Sequence, residues 1–217
     1  MPKNKERWLV KAGSSLLAGK DEGVNQTFIK NLVYQVNTLR SSNIDVVIVT
    51  SGAVAKGMYT LGLSQRPSSL HLLQATAAVG QLGLINNYQL EFDKFNIQAA
   101  QVLISHDHIK NRQRYLNVRS SLQTLIGLGV VPVINENDTV STEEISFGDN
   151  DTLAGSLAVL INADKFIMLT DQMGVCTADP RLDDSAELIE KIDIDDIDIH
   201  LTKILEGISG VLGRGGI

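Results

Sequence analysis

Short aliphatic runs alternate along the chain with longer stretches whose apolar residues recur every three or four positions. The short runs predict buried strands, and the periodic stretches predict amphipathic helices. Strands are predicted over residues 8–10, 44–50, 99–104, 130–134 and 165–170. Helices are predicted over residues 26–39, 69–95, 115–126 and 153–161. The run at 44–50 is almost wholly β-branched, which is typical of a strand buried on both faces.

This alternation of strands and helices predicts an α/β fold, a three-layer αβα sandwich with a mainly parallel central sheet. Pro132 interrupts the run at 130–134. Because proline has no N–H to donate to a neighbouring strand, we expect a kink or a sheet edge there.

Polar or small residues directly follow four of the predicted strands. They are residues 11–15, 50–53, 135–138 and 171–174. In an open parallel sheet, ligands bind beyond the carboxyl ends of the strands. We therefore expect these four segments to meet at one edge of the sheet and to form a site there.

Composition and charge narrow the classes of function. The chain has 217 residues, a formal net charge of −6, 43% hydrophobic residues and one cysteine. The acidic balance argues against nucleic acid as a partner, and the lone Cys176 indicates a reducing compartment. No apolar run approaches the roughly 18 residues that span a bilayer, and the N-terminus lacks the apolar stretch of a secretory signal. A cytoplasmic protein without a membrane partner is expected.

Lys11 ends the first strand and is followed by Gly13. A lysine beside a glycine turn at a helix entrance is suited to bind a polyphosphate, although an ordinary surface lysine is the alternative. The spacing from Gly13 to Lys20 does not match a P-loop, and Asp21 stands where that motif needs serine or threonine. The pattern also lacks the further glycines of a dinucleotide fingerprint.

Ser51 lies where a strand turns into a helix, so its hydroxyl and the free amides there could hold a carboxylate. The alternative is an ordinary helix N-cap. The clusters 135–138 and 148–151 could bind an ammonium group, orient lysines or approach magnesium, whereas turn formation is their simpler interpretation. His106 and His108 lack the further ligands of a metal site, so no protein metal site is predicted.

Six segments of the chain occur in the order that characterises a known family. They are Lys11-Ala12-Gly13-Ser14-Ser15-Leu16, Val49-Thr50-Ser51-Gly52-Ala53-Val54-Ala55, Ala77-Ala78-Val79-Gly80-Gln81, Val133-Ile134-Asn135-Glu136-Asn137-Asp138, Gly148-Asp149-Asn150-Asp151, and Leu169-Thr170-Asp171-Gln172 with Thr177-Ala178-Asp179-Pro180-Arg181. With these motifs the chain resembles the amino acid kinase family over almost its whole length, and within it the branch that acts on glutamate.

The resemblance implies roles for individual residues. Lys11 would contact the ATP phosphates and the transferring phosphoryl group, and Asp151 would position the catalytic lysines. The residues implied for glutamate are Ser51, Asp138 and Asn150, with Gly52, Asn135 and Asp149 in the same pocket. Those implied for the nucleotide, besides Lys11, are Gly13, Thr170, Asp171, Gly213, Arg214, Gly215 and Gly216.

The implied activity is ATP-dependent phosphorylation of the γ-carboxylate of L-glutamate, the first step of proline biosynthesis, with ATP and Mg²⁺ as cofactors. The residue chemistry agrees with this reaction, because a carboxylate with a reference pKa of about 4.3 is already ionised at neutral pH and needs no general base. Implied partners are proline as feedback inhibitor, glutamyl phosphate reductase, and further copies of the chain in a homodimer or homotetramer.

Two departures from the family pattern leave alternative functions open. The chain ends within its glycine loop, at Ile217, without the second catalytic lysine, and it has no C-terminal PUA domain. We therefore expect one amino acid kinase domain over 1–217, with an amino-acid-substrate part at about 1–163 and an incomplete nucleotide part at about 164–217. A sister kinase of N-acetylglutamate, aspartate or carbamate, and a non-catalytic sensor of glutamate or proline, remain the alternatives.

Overall fold

The computed structural model describes residues 5–19, 23–140, 149–180 and 182–192, without the side chains of His106 and Asp149. Residues up to Leu169 form one compact unit, and those from Thr170 form a second. The elements, in chain order, are β1 (Glu6–Ala12), α1 (Ser14–Leu17), β2 (Ala18–Gly19), β3 (Gly23–Val24), α2 (Gln26–Ser41), β4 (Ile44–Val49), α3 (Ala53–Leu61), α4 (Leu70–Asp93), β5 (Ala99–Ile104), α5 (His106–Lys110), α6 (Arg112–Gly127), β6 (Val131–Glu136), α7 (Asp149–Leu160) and β7 (Lys165–Leu169).

Five of these strands form one sheet in the order β5-β6-β4-β1-β7, and every neighbouring pair is parallel. The predicted parallel sheet is confirmed, and each predicted strand is present with its ends within two residues of the prediction. The short strands β2 and β3 form an antiparallel pair that the hydrophobic pattern did not indicate.

Strand β4 shows why the fold has three layers. Successive side chains of a strand point to opposite faces, so Val46 and Ile48 lie in one core cluster while Val47 and Val49 lie in another. The first cluster contains residues of α2 and α4, and the second contains residues of α6 and α7. Helices therefore cover both faces of the sheet, as predicted for a strand buried on both sides.

The expectation of a sheet edge at Pro132 is wrong. Pro132 lies in β6, which has β5 on one side and β4 on the other. The N–H of Val131 bonds to Gln98 on the β5 side, and the carbonyl of Ile134 accepts from Thr50 on the β4 side. By alternation Pro132 faces β4, but the pairing of β6 with β4 begins only at Val133, so no ladder bond is lost.

Polar residues lie at the starts of helices α2 and α7. The side chain of Asn25 accepts a hydrogen bond from the Phe28 N–H at 3.0 Å and so caps the start of α2. Helix α7 begins at Asp149, four residues before the start predicted from its apolar period. Asn150 and Asp151 therefore lie in its first turn. None of the described helices is long and apolar enough to cross a bilayer.

Candidate active site

The structure brings together three polar side chains that the sequence places far apart. Ser51 follows β4, Asn135 lies near the end of β6, and Asn150 lies in the first turn of α7. The Asn150 Nδ2 lies 2.8 Å from the Ser51 Oγ, 3.1 Å from the Asn135 Oδ1 and 2.9 Å from the Thr50 carbonyl oxygen. Asn150 thus joins the carboxyl ends of two neighbouring strands.

The interpretation of Ser51 as a helix N-cap is wrong. The N-cap of α3 is Gly52, which has φ 96° and makes no side-chain capping bond. Glycine adopts this left-handed conformation without the steric strain of a Cβ atom. The Ser51 hydroxyl instead accepts a hydrogen bond from Asn150 at the edge of the sheet.

Lys11 and Asp151 form an ion pair between β1 and α7. Lys11 is only 9% exposed, so its ammonium group is held in the protein by this carboxylate. Gly13 lies close by, since a Cβ on it would be 3.9 Å from the Lys11 Nζ. The Gly13 N–H donates to the Leu169 carbonyl at 2.9 Å, so this amide is not free to bind a ligand. The lack of a side chain at Gly13 leaves room beside the lysine.

Asp138 lines a cavity of about 230 Å³ between α4, β5 and the loop after β6. Burial raises the pKa of its carboxyl group to about 6, and the charge of Arg66 opposes this rise. The carboxylate is therefore poorly solvated, and a cation that enters the cavity would stabilise its ionised form. An ammonium group is a suitable ligand for this position.

Two residues of α4 belong to this site although the sequence analysis gave them no role. The Asn135 Nδ2 donates to the Gln81 Oε1 at 2.8 Å, and the hydroxyls of Thr50 and Tyr88 lie 3.0 Å apart. Burial raises the pKa of Tyr88 to about 12, against the opposing effect of the Thr50 hydrogen bond, so the phenol stays neutral. The available signal for Gln81 was its position four residues after Ala77, which puts both residues on one face of the helix.

The remaining predicted site residues belong to the second unit or lie outside the described residues. Thr170 and Asp171 are exposed residues of the second unit, where the Thr170 Oγ1 accepts from the Gln172 N–H at 3.2 Å. The glycine loop at 213–216, including Arg214, and the side chain of Asp149 lie outside the described residues.

The described residues contain no group of three or more histidine, cysteine, aspartate or glutamate side chains that could hold a metal ion. His108 instead accepts, through Nδ1, a hydrogen bond from the Ser105 N–H at 3.0 Å and closes a capping box at the start of α5.

A family model, the amino acid kinase family, matches residues 6–217 of this sequence. The chain belongs to the amino acid kinase family. This membership confirms the resemblance that the six motifs indicated.

Curated relatives agree with the family assignment. The chain is 52% identical over 211 residues to a glutamate 5-kinase of Hydrogenovibrio crunogenus and 49% identical over 214 residues to one of Alcanivorax borkumensis. These matches cover 97% and 99% of this chain but 56% of each relative. The chain thus spans about half the length of the curated relatives it matches.

A solved structure supports the amino acid kinase fold. The crystal structure of UMP kinase from Ureaplasma parvum aligns with a TM-score of 0.57 over 92% of this chain and 80% of its own. The sequences are 19% identical, so this similarity concerns the fold alone.

Proposed function

We propose that this chain carries the amino-acid site and a phosphate-contacting lysine of an ATP-dependent glutamate kinase, whose product is L-glutamyl 5-phosphate. One observation carries the proposal. Asn150 and Asp151 are consecutive residues of α7, and Asn150 holds Ser51 and Asn135 while Asp151 pairs with Lys11. A single helical turn therefore links a set of groups suited to an amino acid with a cation suited to a phosphate. The names of the relatives at 49–52% identity support glutamate as the acceptor.

The reaction needs alignment and charge neutralisation more than proton transfer. An oxygen of the γ-carboxylate forms the new bond to the terminal phosphorus of ATP, and the bond from that phosphorus to the ADP oxygen breaks. No proton has to be removed from the acceptor, because the carboxylate is ionised at neutral pH. In our proposal Lys11 neutralises charge on the transferring group, and Asp151 keeps the ammonium in position.

We assign the acceptor to Ser51, Gly52, Asn135, Asp138, Asp149 and Asn150. For the nucleotide we keep Gly13, Thr170, Asp171, Gly213, Arg214, Gly215 and Gly216 as predicted ligands beside Lys11.

Magnesium fits this arrangement through the nucleotide. In kinases Mg²⁺ usually binds substrate phosphates with one or two carboxylates and keeps several waters, so it needs no dedicated protein cluster. Asp151 is a carboxylate at the proposed phosphate position. When bound, the ion would neutralise charge on the phosphate oxygens.

Metabolic context follows from the same proposal. The product is an acyl phosphate, which hydrolyses or cyclises readily, so a cytoplasmic reductase that consumes it promptly is the expected next enzyme of proline biosynthesis. Inhibition by proline at the amino-acid site and assembly into homodimers or homotetramers complete the proposal.

A hydroxamate assay with this chain, ATP, Mg²⁺ and L-glutamate tests the proposal. Lys11→Ala should lower turnover roughly a hundredfold or more, because it removes a main charge contact of the transition state. Lys30→Ala is the matched control, since Lys30 is an exposed lysine of α2. Parallel reactions with N-acetylglutamate, aspartate and carbamate test the sister kinases. Near-normal turnover by Lys11→Ala, or phosphorylation of another acceptor but not glutamate, would contradict the proposal.

A further inference from the structure

The hydrogen-bond network of the site has a fixed direction. A backbone carbonyl only accepts hydrogen bonds, so the Asn150 atom 2.9 Å from the Thr50 oxygen is the amide nitrogen. That nitrogen also faces the Asn135 Oδ1 at 3.1 Å. The Asn135 nitrogen must then point the other way, where it donates to the Gln81 Oε1 at 2.8 Å.

This direction determines what Gln81 presents to the cavity. Because its oxygen accepts from Asn135, its Nε2 amide group must face away from Asn135. Gln81 is 8% exposed, and its Nε2 is buried without a hydrogen-bond partner among the residues that the structure describes. Gln81 also lines the cavity of about 230 Å³ that contains Asp138. A buried donor without an acceptor destabilises the free protein, so an acceptor supplied by a ligand would bind there favourably.

We propose that the Gln81 Nε2 binds the α-carboxylate of the amino-acid acceptor while Asp138 faces its ammonium group, an inference that rests on the proposed function. The two groups of the acceptor are attached to one carbon atom, and the two protein groups line one cavity with opposite hydrogen-bonding character. The γ-carboxylate is the group that must reach Lys11. Lys11 pairs with Asp151, and the hydrogen bonds run from the adjacent Asn150 through Asn135 to Gln81. Gln81 is the last residue of this network counted from Lys11, so it is suited to the α-carboxylate.

The substitution Gln81→Glu tests the ligand-facing half of the side chain. It keeps an oxygen that accepts from Asn135 and replaces the donating NH₂ group by a second oxygen of nearly the same size. Gln81→Met removes the donor without adding charge, but it also removes the oxygen that accepts from Asn135, so it is a second test of glutamate binding only. Gln35→Glu is the matched control, because Gln35 is an exposed glutamine of α2 that does not line this cavity.

Calorimetric titrations with L-glutamate and with 4-aminobutanoate, which is glutamate without its α-carboxylate, measure the effect on this chain. We expect both variants to weaken glutamate binding at least about tenfold, and Gln81→Glu to leave 4-aminobutanoate binding within about threefold of wild type. Gln35→Glu should leave both affinities within about threefold. Urea unfolding of each variant verifies that it is folded.

Each other outcome overturns the inference. Equal weakening of both ligands by Gln81→Glu would show that Gln81 acts only through Asn135. Unchanged glutamate binding in folded Gln81 variants would exclude the contact, whereas the proposed function would stand. A wild-type chain that binds neither ligand would contradict the proposed function and, with it, this inference.

Discussion

Gly57 of α3 and Gly80 of α4 lie against each other with no room for a side chain on either. A Cβ on Gly80 would be 1.8 Å from the Ala53 carbonyl oxygen and 2.8 Å from the Gly57 Cα, and one on Gly57 would be 1.8 Å from the Thr76 carbonyl oxygen. Helix α3 begins directly after Gly52, and α4 carries Gln81 next to Gly80. This close approach therefore sets where α4 meets the site.

Gly80→Ala should destabilise the protein by about 3 kcal/mol or more, because the methyl group cannot fit unless the two helices separate. The free energy of unfolding in urea measures this effect. Gly155→Ala is the control, since nothing lies within 4 Å of a Cβ at this position of α7. Alanine should stabilise that helix by up to about 1 kcal/mol. Equal effects of the two substitutions would contradict the close approach.

Asp151→Asn should lower the free energy of unfolding by about 3 kcal/mol, because it leaves the Lys11 ammonium buried without its counter-ion. The matched control is Asp45→Asn. Asp45 pairs with Lys5 at 3.4 Å, and the Lys5 side chain is 56% exposed, so we expect a change of at most about 1 kcal/mol. Urea unfolding at neutral pH compares the two variants, and similar losses would argue against a structural role of the Lys11–Asp151 pair.

The sequence was sufficient for those parts of the site that strand order places. Ser51 follows β4 and Asn135 lies near the end of the neighbouring parallel strand β6, so their meeting at one edge depends only on identifying these two strands. Gln81 and Tyr88 were missed because they belong to α4. The apolar period of that helix does not mark its buried face, because Leu72 and Leu82 are exposed while Gln81 is buried. The rotation of α4 against the sheet is set by tertiary packing, such as the contact of Gly80 with α3.

Pro132 shows a different limit of prediction from sequence. The rule that proline occupies an edge assumes that a central strand is hydrogen-bonded on both sides along its whole length. The pairing of β6 with β4 begins one residue after Pro132, and this register depends on residues distant in the sequence.

Asp138→Asn should stabilise the protein in a pH-dependent way. The pKa of this carboxyl group is about 6 in the native protein against 3.8 as its ordinary value. Between these values the native state holds a proton that the unfolded chain has released, so stability is lost as the pH rises toward and past 6. Asparagine cannot ionise and avoids this loss. The stability gained by the substitution should be about 2 kcal/mol larger at pH 7.5 than at pH 4.5. Urea unfolding at the two pH values measures this change. If Asp138→Asn gained the same free energy of unfolding at both, the prediction would be contradicted.

The same carboxyl group should make glutamate binding pH-dependent. An ammonium ligand favours the ionised form, so the affinity of the wild-type chain should rise roughly tenfold between pH 5 and pH 7.5. Calorimetry with L-glutamate at the two pH values measures the rise, and Asp138→Asn should abolish it. A rise of equal size in the variant would assign the pH dependence to another group.

Tyr88 and Thr50 should be energetically coupled. Their hydroxyls lie 3.0 Å apart, with Tyr88 fully buried and Thr50 1% exposed. Thr50→Val leaves the phenol buried without this partner and should cost about 2 kcal/mol, whereas Tyr88→Phe should cost about 1 kcal/mol. The double variant removes both polar groups, so its loss should be smaller than the sum of the single losses by about 1 kcal/mol or more. Urea unfolding of the four proteins measures this coupling. Because the pKa of Tyr88 is about 12, the coupling should be the same at pH 6 and pH 9, and additive losses would show that the two hydroxyls do not interact.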